Sequence, residues 1–272
     1  MGGAYTCARL VSEASAAGMR LDVVGVHDSI LCASGRLLCG GEEIRSRDFV
    51  INRYKWGHLR DVTGACGCRQ YNPAGAFTRY VDKYNQLVDL RSEAFDVPRY
   101  VLATSSPPFD AVVEAVGLPF VAKGLASSMG REIRLISSRV DYDALAHEFG
   151  ADKEWIFEEY IACSRGRDMR LMAVRGEAVA CMQRRSSDDF RANVALGAEV
   201  TAVAVNSELR TIASDVCRVT GLDVVGIDLL FGNPGPVLCE INVMPGLEGI
   251  ESATGVNVAG RIISMIREDF LS

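Results

Sequence analysis

The chain has 272 residues, of which 49% are hydrophobic and 24% charged, and its formal net charge is −6. That is enough apolar material for one large domain or two to three subdomains, and the acidic balance excludes a surface devoted to nucleic acid or an anionic membrane. No apolar run approaches the roughly 18 residues that span a bilayer, and the opening MGGAYTCARL lacks the pattern of an export signal, so a cytoplasmic protein without membrane contact is expected.

In chain order, small and apolar residues recur with helical spacing from Tyr5 to Ala17, and LDVVGV (21–26) reads as a buried strand. DFVIN (48–52) predicts another strand, GACGCRQYNPAGA (64–76) a connection, and 79–95 one polar helix. VPRYVLA (97–103) is expected to be extended and SSPPFDAVVEAVGLP (105–119) to be a loop entering a short helix. FVAKGL (120–125) and REIRLIS (131–137) form a hairpin by their alternation, and a helix with a glycine stop follows at 141–150. Next come a strand over 154–161, a hairpin over 168–185 turning at Arg175-Gly176, a helix ending at Gly221, and a hairpin over 224–243 through Asn-Pro-Gly. The alternation predicts an α/β fold with no repeats and no low-complexity linker.

The nine cysteines are odd in number, scattered and free of any Cys-x-x-Cys pair, so most read as small buried residues of a reducing compartment. The last hairpin carries more chemistry. Glu240 and Asn242 lie two apart and share a face, and the short turn brings Asp228 roughly opposite them. Two carboxylates converging among apolar neighbours need a cation, and carboxylates with an amide carbonyl suit magnesium beside nucleotide phosphates. The alternative is that one of the acids is exposed or paired with an arginine.

Arg165, Arg167, Arg170, Arg175, Arg184, Arg185 and Arg191 outnumber Asp168, Glu177, Asp188 and Asp189 in the same stretch, which makes it the local anion site of an acidic chain. Asp168 and Arg170 share a strand face, with Arg184 on the paired strand, and in DFRANV (189–194) Arg191 and Asn193 point the same way if the segment is extended. Guanidinium groups grip phosphate or carboxylate with paired hydrogen bonds, while the scarcity of interleaved aromatics argues against nucleic acid. Lys123 ends a strand before the turn ASSMGRE, where a lysine and backbone amides can ground a phosphate. Lys83, taken alone, reads as a solvated lysine on a polar helix.

The series VDKYNQL, VPRYVLATS, FVAKGLASSMGRE, FEEYIACSRGRDMRLMAV, CMQRRSSDDFRANVALG, GLDVVGIDLLFGNPGPVLCEINVMPGLEGIE and TGVNVAGRI resembles the RimK-like branch of the ATP-grasp carboxylate-amine ligases, over roughly residues 60 to 265. The resemblance implies an ATP-grasp fold with a short N-terminal pre-ATP-grasp α/β domain (1–78) and two ATP-grasp subdomains (79–154 and 155–272), the second holding the metal and phosphate site. By the same resemblance, Lys83, Lys123, Arg191 and Asn193 meet the ATP phosphates, Glu159 and Tyr160 the adenine through their backbone, and Asp168 the ribose. Arg170 and Arg184, with Arg191, surround the reacting phosphoryl group, and Asp228, Glu240 and Asn242 hold Mg2+ or Mn2+. The implied reaction activates a substrate carboxylate as an acyl-phosphate, which an amine converts to an amide.

The family's best-known use is addition of glutamate to a protein, peptide or cofactor tail. Peptide ligation in natural-product biosynthesis and a non-catalytic nucleotide-binding regulatory module are the alternatives. Two departures stand out: Ser127 and Glu132 occupy positions where the family's turn commonly has glycine, and the strand expected before the first helix is missing. An altered sheet edge of that kind invites pairing, so a homo-oligomer is expected.

Overall fold

A computed structural model describes residues 2–32, 36–43, 48–55, 68–91, 95–125, 132–187, 189–192 and 197–271. The expected first helix is α1 (Gly2–Ala16), which buries Leu10 and Ala14. The strand expected at LDVVGV does not form: residues 19–25 carry no regular structure, and Val23 and Val24 are exposed. An apolar run becomes a strand only where a neighbour takes up its backbone groups, and the described residues supply none here. The chain enters instead a small meander of β1 (Ser29–Leu31), β2 (Leu37–Cys39) and β3 (Glu42–Glu43).

DFVIN yields β4 (Phe49–Ile51), whose parallel partner β5 (Arg69–Tyr71) lies inside the stretch read as a connection. The single polar helix expected over 79–95 is two, α2 (Ala74–Tyr80) and α3 (Lys83–Arg91). Asp82 is the cause. Its carboxylate accepts from the N–H groups of Tyr84 and Asn85 at 2.8 and 3.2 Å, capping a new helix that begins at Lys83.

The next elements are β6 (Tyr100–Thr104), α4 (Phe109–Val116), β7 (Phe120–Gly124), β8 (Ile133–Ile136), α5 (Arg139–Phe149) and β9 (Glu154–Glu159). Their strands form an antiparallel sheet in the order β6-β9-β7-β8, with α4 and α5 packed on it through Phe109, Val112, Tyr142 and Leu145 against Phe120, Trp155 and Phe157. Burying such side chains is worth about 1.5–3 kcal/mol each. Because β9 is an inner strand, this sheet continues to residue 159.

The second large sheet is built from β10 (Arg167–Val174), β11 (Glu177–Arg185), β12 (Glu199–Val203), β13 (Val224–Phe231) and β14 (Pro236–Asn242), in the order β12-β11-β10-β13-β14. The β10–β11 turn falls at Arg175-Gly176 as expected, with φ values of 48° and 80° that only a tight left-handed turn requires. Helix α6 (Ser207–Thr220), together with α2 and α3, covers one face. The other face carries α1, α7 (Glu248–Thr254) and α8 (Val258–Leu271).

Strand alternation separates these two cores: Leu171, Cys181 and Ile227 enter the first, Met172, Met182 and Val224 the second. Towards the other end of the strands, the face of Met172 and Met182 continues in the same period as Arg170, Asp168, Arg184 and Asp228. One sheet face thus changes from apolar to charged along its length.

Candidate active site

A cleft of about 440 Å³ is lined by both large sheets, by the α2–α3 junction and by Lys55. Lys83, Lys123, Glu159, Tyr160, Asp168, Arg170, Arg184, Arg191, Asp228, Glu240 and Asn242 all line it. Asn193, the remaining candidate, lies outside the described residues. Arg175, counted with the anion-site arginines, is directed elsewhere and pairs with Asp269 at 2.6 Å.

The charged face of the five-stranded sheet forms an alternating ladder. Arg170 stands opposite Asp228 on neighbouring strands, and Asp168 stands opposite Arg184. Arg170 donates to both Asp228 oxygens at 2.7 and 2.6 Å, and Arg184 donates to both Asp168 oxygens at 2.6 and 2.7 Å. Arg184 also reaches Asp228 at 3.1 Å. Burial raises the Asp228 carboxyl, but the two arginines outweigh it and hold the group well below the usual carboxylate range. Burial pushes Asp168 up, with Arg184 opposing.

Asp228 is also opposite Glu240, and Asn242, opposite Gly226, is two rungs along, so the three candidate metal ligands share one face of the hairpin as expected. A cation is not needed to offset the two converging acids: the alternative, an arginine paired with one of them, is what the sheet provides. Asp228 already has two guanidinium partners, and Lys83 lies 3.4 Å from Glu240, so repulsion between the two acids is relieved by side chains. The donors still fit a hard divalent ion: two carboxylates and an amide oxygen, with the Glu240 side chain 27% exposed. Since cations surround them, that ion fits best when it arrives with an anionic ligand.

Lys83 is not the solvated lysine that its helix suggested. It is buried at the first turn of α3, and its N–H donates to Leu125 O at 3.1 Å, beside the turn that follows β7. Lys123, also buried, pairs with Glu158 at 2.5 Å and donates to Cys239 Sγ at 3.4 Å. Ser127 lies outside the described residues, whereas Glu132 accepts from Gly124 N–H through its backbone at 2.9 Å and pairs with Lys153 at 2.6 Å. Its side chain therefore ties the turn end of the hairpin to the start of β9.

At the opposite end, Glu159 is engaged by Arg99 through both its carboxylate and its N–H, at 2.9 and 2.8 Å. The Tyr160 ring lies edge-on to Phe190, and its hydroxyl is buried without a hydrogen-bond partner among the described residues. Arg191 is held by Asp189, with the shortest contact at 2.6 Å.

Sequence reasoning missed four cleft residues. Glu158 was hidden because only folding brings it to Lys123. Cys239 enters the cleft at a register shift between Asp228 and Leu229, where β14 has one residue more than β13. Burial pushes its thiol up to about 12. Gln86 bonds the edge strand β14 at Ile241, donating to its carbonyl at 3.0 Å and accepting from its N–H at 2.9 Å. Lys55 follows β4, far from the other lining residues in the chain.

Comparison with known proteins matches a RimK-like ATP-grasp domain over residues 81–266. A probable alpha-L-glutamate ligase of Enterobacter sp. (strain 638) is 32% identical, covering 97% of this chain and 92% of its own length. The ribosomal protein bS6--L-glutamate ligase of Escherichia fergusonii is 31% identical over the same shares of the two chains. Among solved structures, the ATP-grasp ligase PsnB complexed with minimal precursor, Mg and ADP superposes with a TM-score of 0.73 at 18% identity, covering 97% of this chain and 94% of that one. A RimK domain ATP-grasp protein from Sphaerobacter thermophilus DSM 20745 gives 0.73 at 17% identity, covering 95% and 94%. At these identities the structural likeness concerns the fold.

Proposed function

The chain belongs to the RimK-like ATP-grasp ligases, and on that premise we propose how its cleft makes an amide bond. The protein is an ATP-dependent, ADP-forming carboxylate-amine ligase. In our reading, ATP lies along the cleft, with adenine at Glu159 and Tyr160, ribose near Asp168, and phosphates at Lys83, Lys123, Arg191 and Asn193. Asp228, Glu240 and Asn242 would hold Mg2+ or Mn2+, which when bound neutralises phosphate charge. Arg170 and Arg184 are already oriented by Asp228 and Asp168, so they can meet developing charge on the transferred phosphoryl group without reorganising. A substrate carboxylate takes the γ-phosphoryl group, ADP leaves, and an amine displaces phosphate from the acyl-phosphate. The protein supplies position and charge rather than a covalent nucleophile.

One observation carries this reading: the two lysines, the arginine-acid ladder and the three oxygen donors, dispersed from residue 83 to residue 242, line a single cleft. We extend it to a glutamate-like amino acid added to a peptide, protein or cofactor tail, supported by the two glutamate ligases above. We also divide the chain into an N-terminal α/β part (1–78), a first ATP-grasp subdomain that β9 carries from 79 to residue 159 rather than to the expected 154, and a second over 160–272. A cytoplasmic setting agrees with the free cysteines among the described residues, and no described helix is long and apolar enough to cross a membrane. A homo-oligomer stays part of the proposal: the β4–β5 sheet has no third strand among the described residues, and an edge left uncovered can pair with another chain. Light scattering over a concentration series tests that.

The test of function is incubation with ATP, magnesium and pools of amino acids and small acids, following phosphate release and mass gain. ADP and phosphate formed only when carboxylate and amine are both present is the expected result. AMP and pyrophosphate would overturn the acyl-phosphate route.

A further inference from the structure

Lys55 lies at the end of a short segment held by two independent anchors. The buried Asn52 accepts from Tyr54 N–H through its side chain at 2.9 Å and donates its own N–H to Tyr71 O at 3.1 Å, which fixes a tight turn after β4. Arg53 donates to Pro245 O at 3.0 Å, tying the same segment to the loop just beyond Asn242. Lys55 is thereby delivered to the cleft wall in the electrostatic neighbourhood of Lys83 and Glu240. Burial, and then Lys83, hold its ammonium below the ordinary lysine range, with Glu240 opposing. A part-buried cation beside another cation gains most from an anion placed between them and the cleft mouth.

Resting on the functional reading above, we propose that Lys55 binds a substrate carboxylate that is not itself activated, such as the α-carboxylate of the incoming amino acid. The adenine and ribose ends of the cleft are built from Glu159, Tyr160 and Asp168, and Lys83 and Lys123 serve the phosphates. Lys55 enters from the opposite part of the chain, next to the Glu240 end, where an amine must approach an acyl-phosphate. An amino acid attacking through its amine keeps its carboxylate as a buried charge, and a fixed ammonium is the group that offsets it.

The test uses the full chain saturated with AMPPNP and magnesium, to which the common amino acids are titrated singly in a calorimeter. Their decarboxylated amines, such as 4-aminobutyrate for L-glutamate, serve as controls. At least one amino acid binds, its amine analogue binds more weakly, and Lys55→Met weakens the amino acid by about ten- to a hundredfold, the scale of one charge-assisted bond. Lys55→Met leaves AMPPNP affinity within about twofold, and Lys55→Arg restores most of the amino-acid binding.

Equal amino-acid affinity in the wild type and Lys55→Met overturns the proposal. So does loss of AMPPNP affinity in Lys55→Met, which would make Lys55 a nucleotide ligand. AMPPNP binding with no amino acid bound by the wild type overturns it as well. Failure of the wild type to bind AMPPNP would defeat the functional reading itself, a result distinct from the other three.

Discussion

Arg170 and Asp228 face each other across β10 and β13 and meet in two parallel hydrogen bonds of 2.7 and 2.6 Å, with the Asp228 side chain only 8% exposed. Arg184 completes the arrangement from the other side. Removing the carboxylate charge leaves two guanidinium groups crowded without their shared partner. Asp228→Asn is therefore expected to destabilise the protein by about 3 kcal/mol, read from urea denaturation, besides losing turnover.

Glu240→Gln separates catalysis from folding. The side chain is partly exposed, and Lys83 pairs with it at 3.4 Å, so the apo stability should fall by no more than about 1 kcal/mol. Turnover should fall by about a hundredfold or more, because a candidate metal ligand is lost while shape is kept. Thermal melting without metal and ADP release with magnesium provide the two readings. Near-normal magnesium-dependent ligation in this variant would defeat the metal assignment.

Gln86 replaces a missing strand at the edge of β14, bonding the backbone of Ile241 between Glu240 and Asn242. The same carboxamide donates to Tyr80 O at 2.7 Å. Gln86→Ala deletes three buried hydrogen bonds and should cost roughly 2–3 kcal/mol. If the carboxamide also positions β14, the variant's turnover falls further than the unfolded fraction explains, which paired denaturation and steady-state kinetics resolve.

The cations around Asp228 and Glu240 imply that a divalent ion binds weakly on its own. Manganese should remain largely free in electron paramagnetic resonance when mixed with the apo protein and become bound when ADP or ATP is added. Tight binding without nucleotide would show that the donors form an independent metal site.

Asp269 on α8 accepts from Arg175 at 2.6 Å and from Tyr71, and Arg69 lies 3.0 Å away. Arg175 first, and then Tyr71, hold its carboxyl at about 2, below the ordinary 3.8. The folded state then stays ionised where the unfolded chain takes up a proton, so the stabilisation is present above the unfolded value and is lost as pH falls towards 2. Asp269→Asn should flatten that acid limb in denaturation midpoints measured from pH 5 to pH 2, with turnover at neutral pH unchanged.

Strand periods and turn residues were legible without coordinates. The β10–β11 and β13–β14 hairpins are local: their strands are joined by short turns at Arg175-Gly176 and Asn-Pro-Gly, and alternation alone decides which residues share a face. Asp168 with Arg170, and Glu240 with Asn242, were therefore readable as pairs, and the motif order along the chain carried the family.

What local pattern could not supply was partnership between distant segments. LDVVGV has strand composition but no neighbour among the described residues to complete its backbone bonds, whereas Arg69–Tyr71, with little strand signal, is a strand because β4 lies beside it. Lys83 looked solvated on a polar helix, yet Asp82 starts a new helix there and turns the lysine into the cleft. The two acids alone leave a bound cation and an arginine partner equally open, and only the tertiary structure brings Arg170, Arg184 and Lys83 against them. Charge balance in a buried site is a sum over everything within a few ångströms, and sequence distance says nothing about that sum.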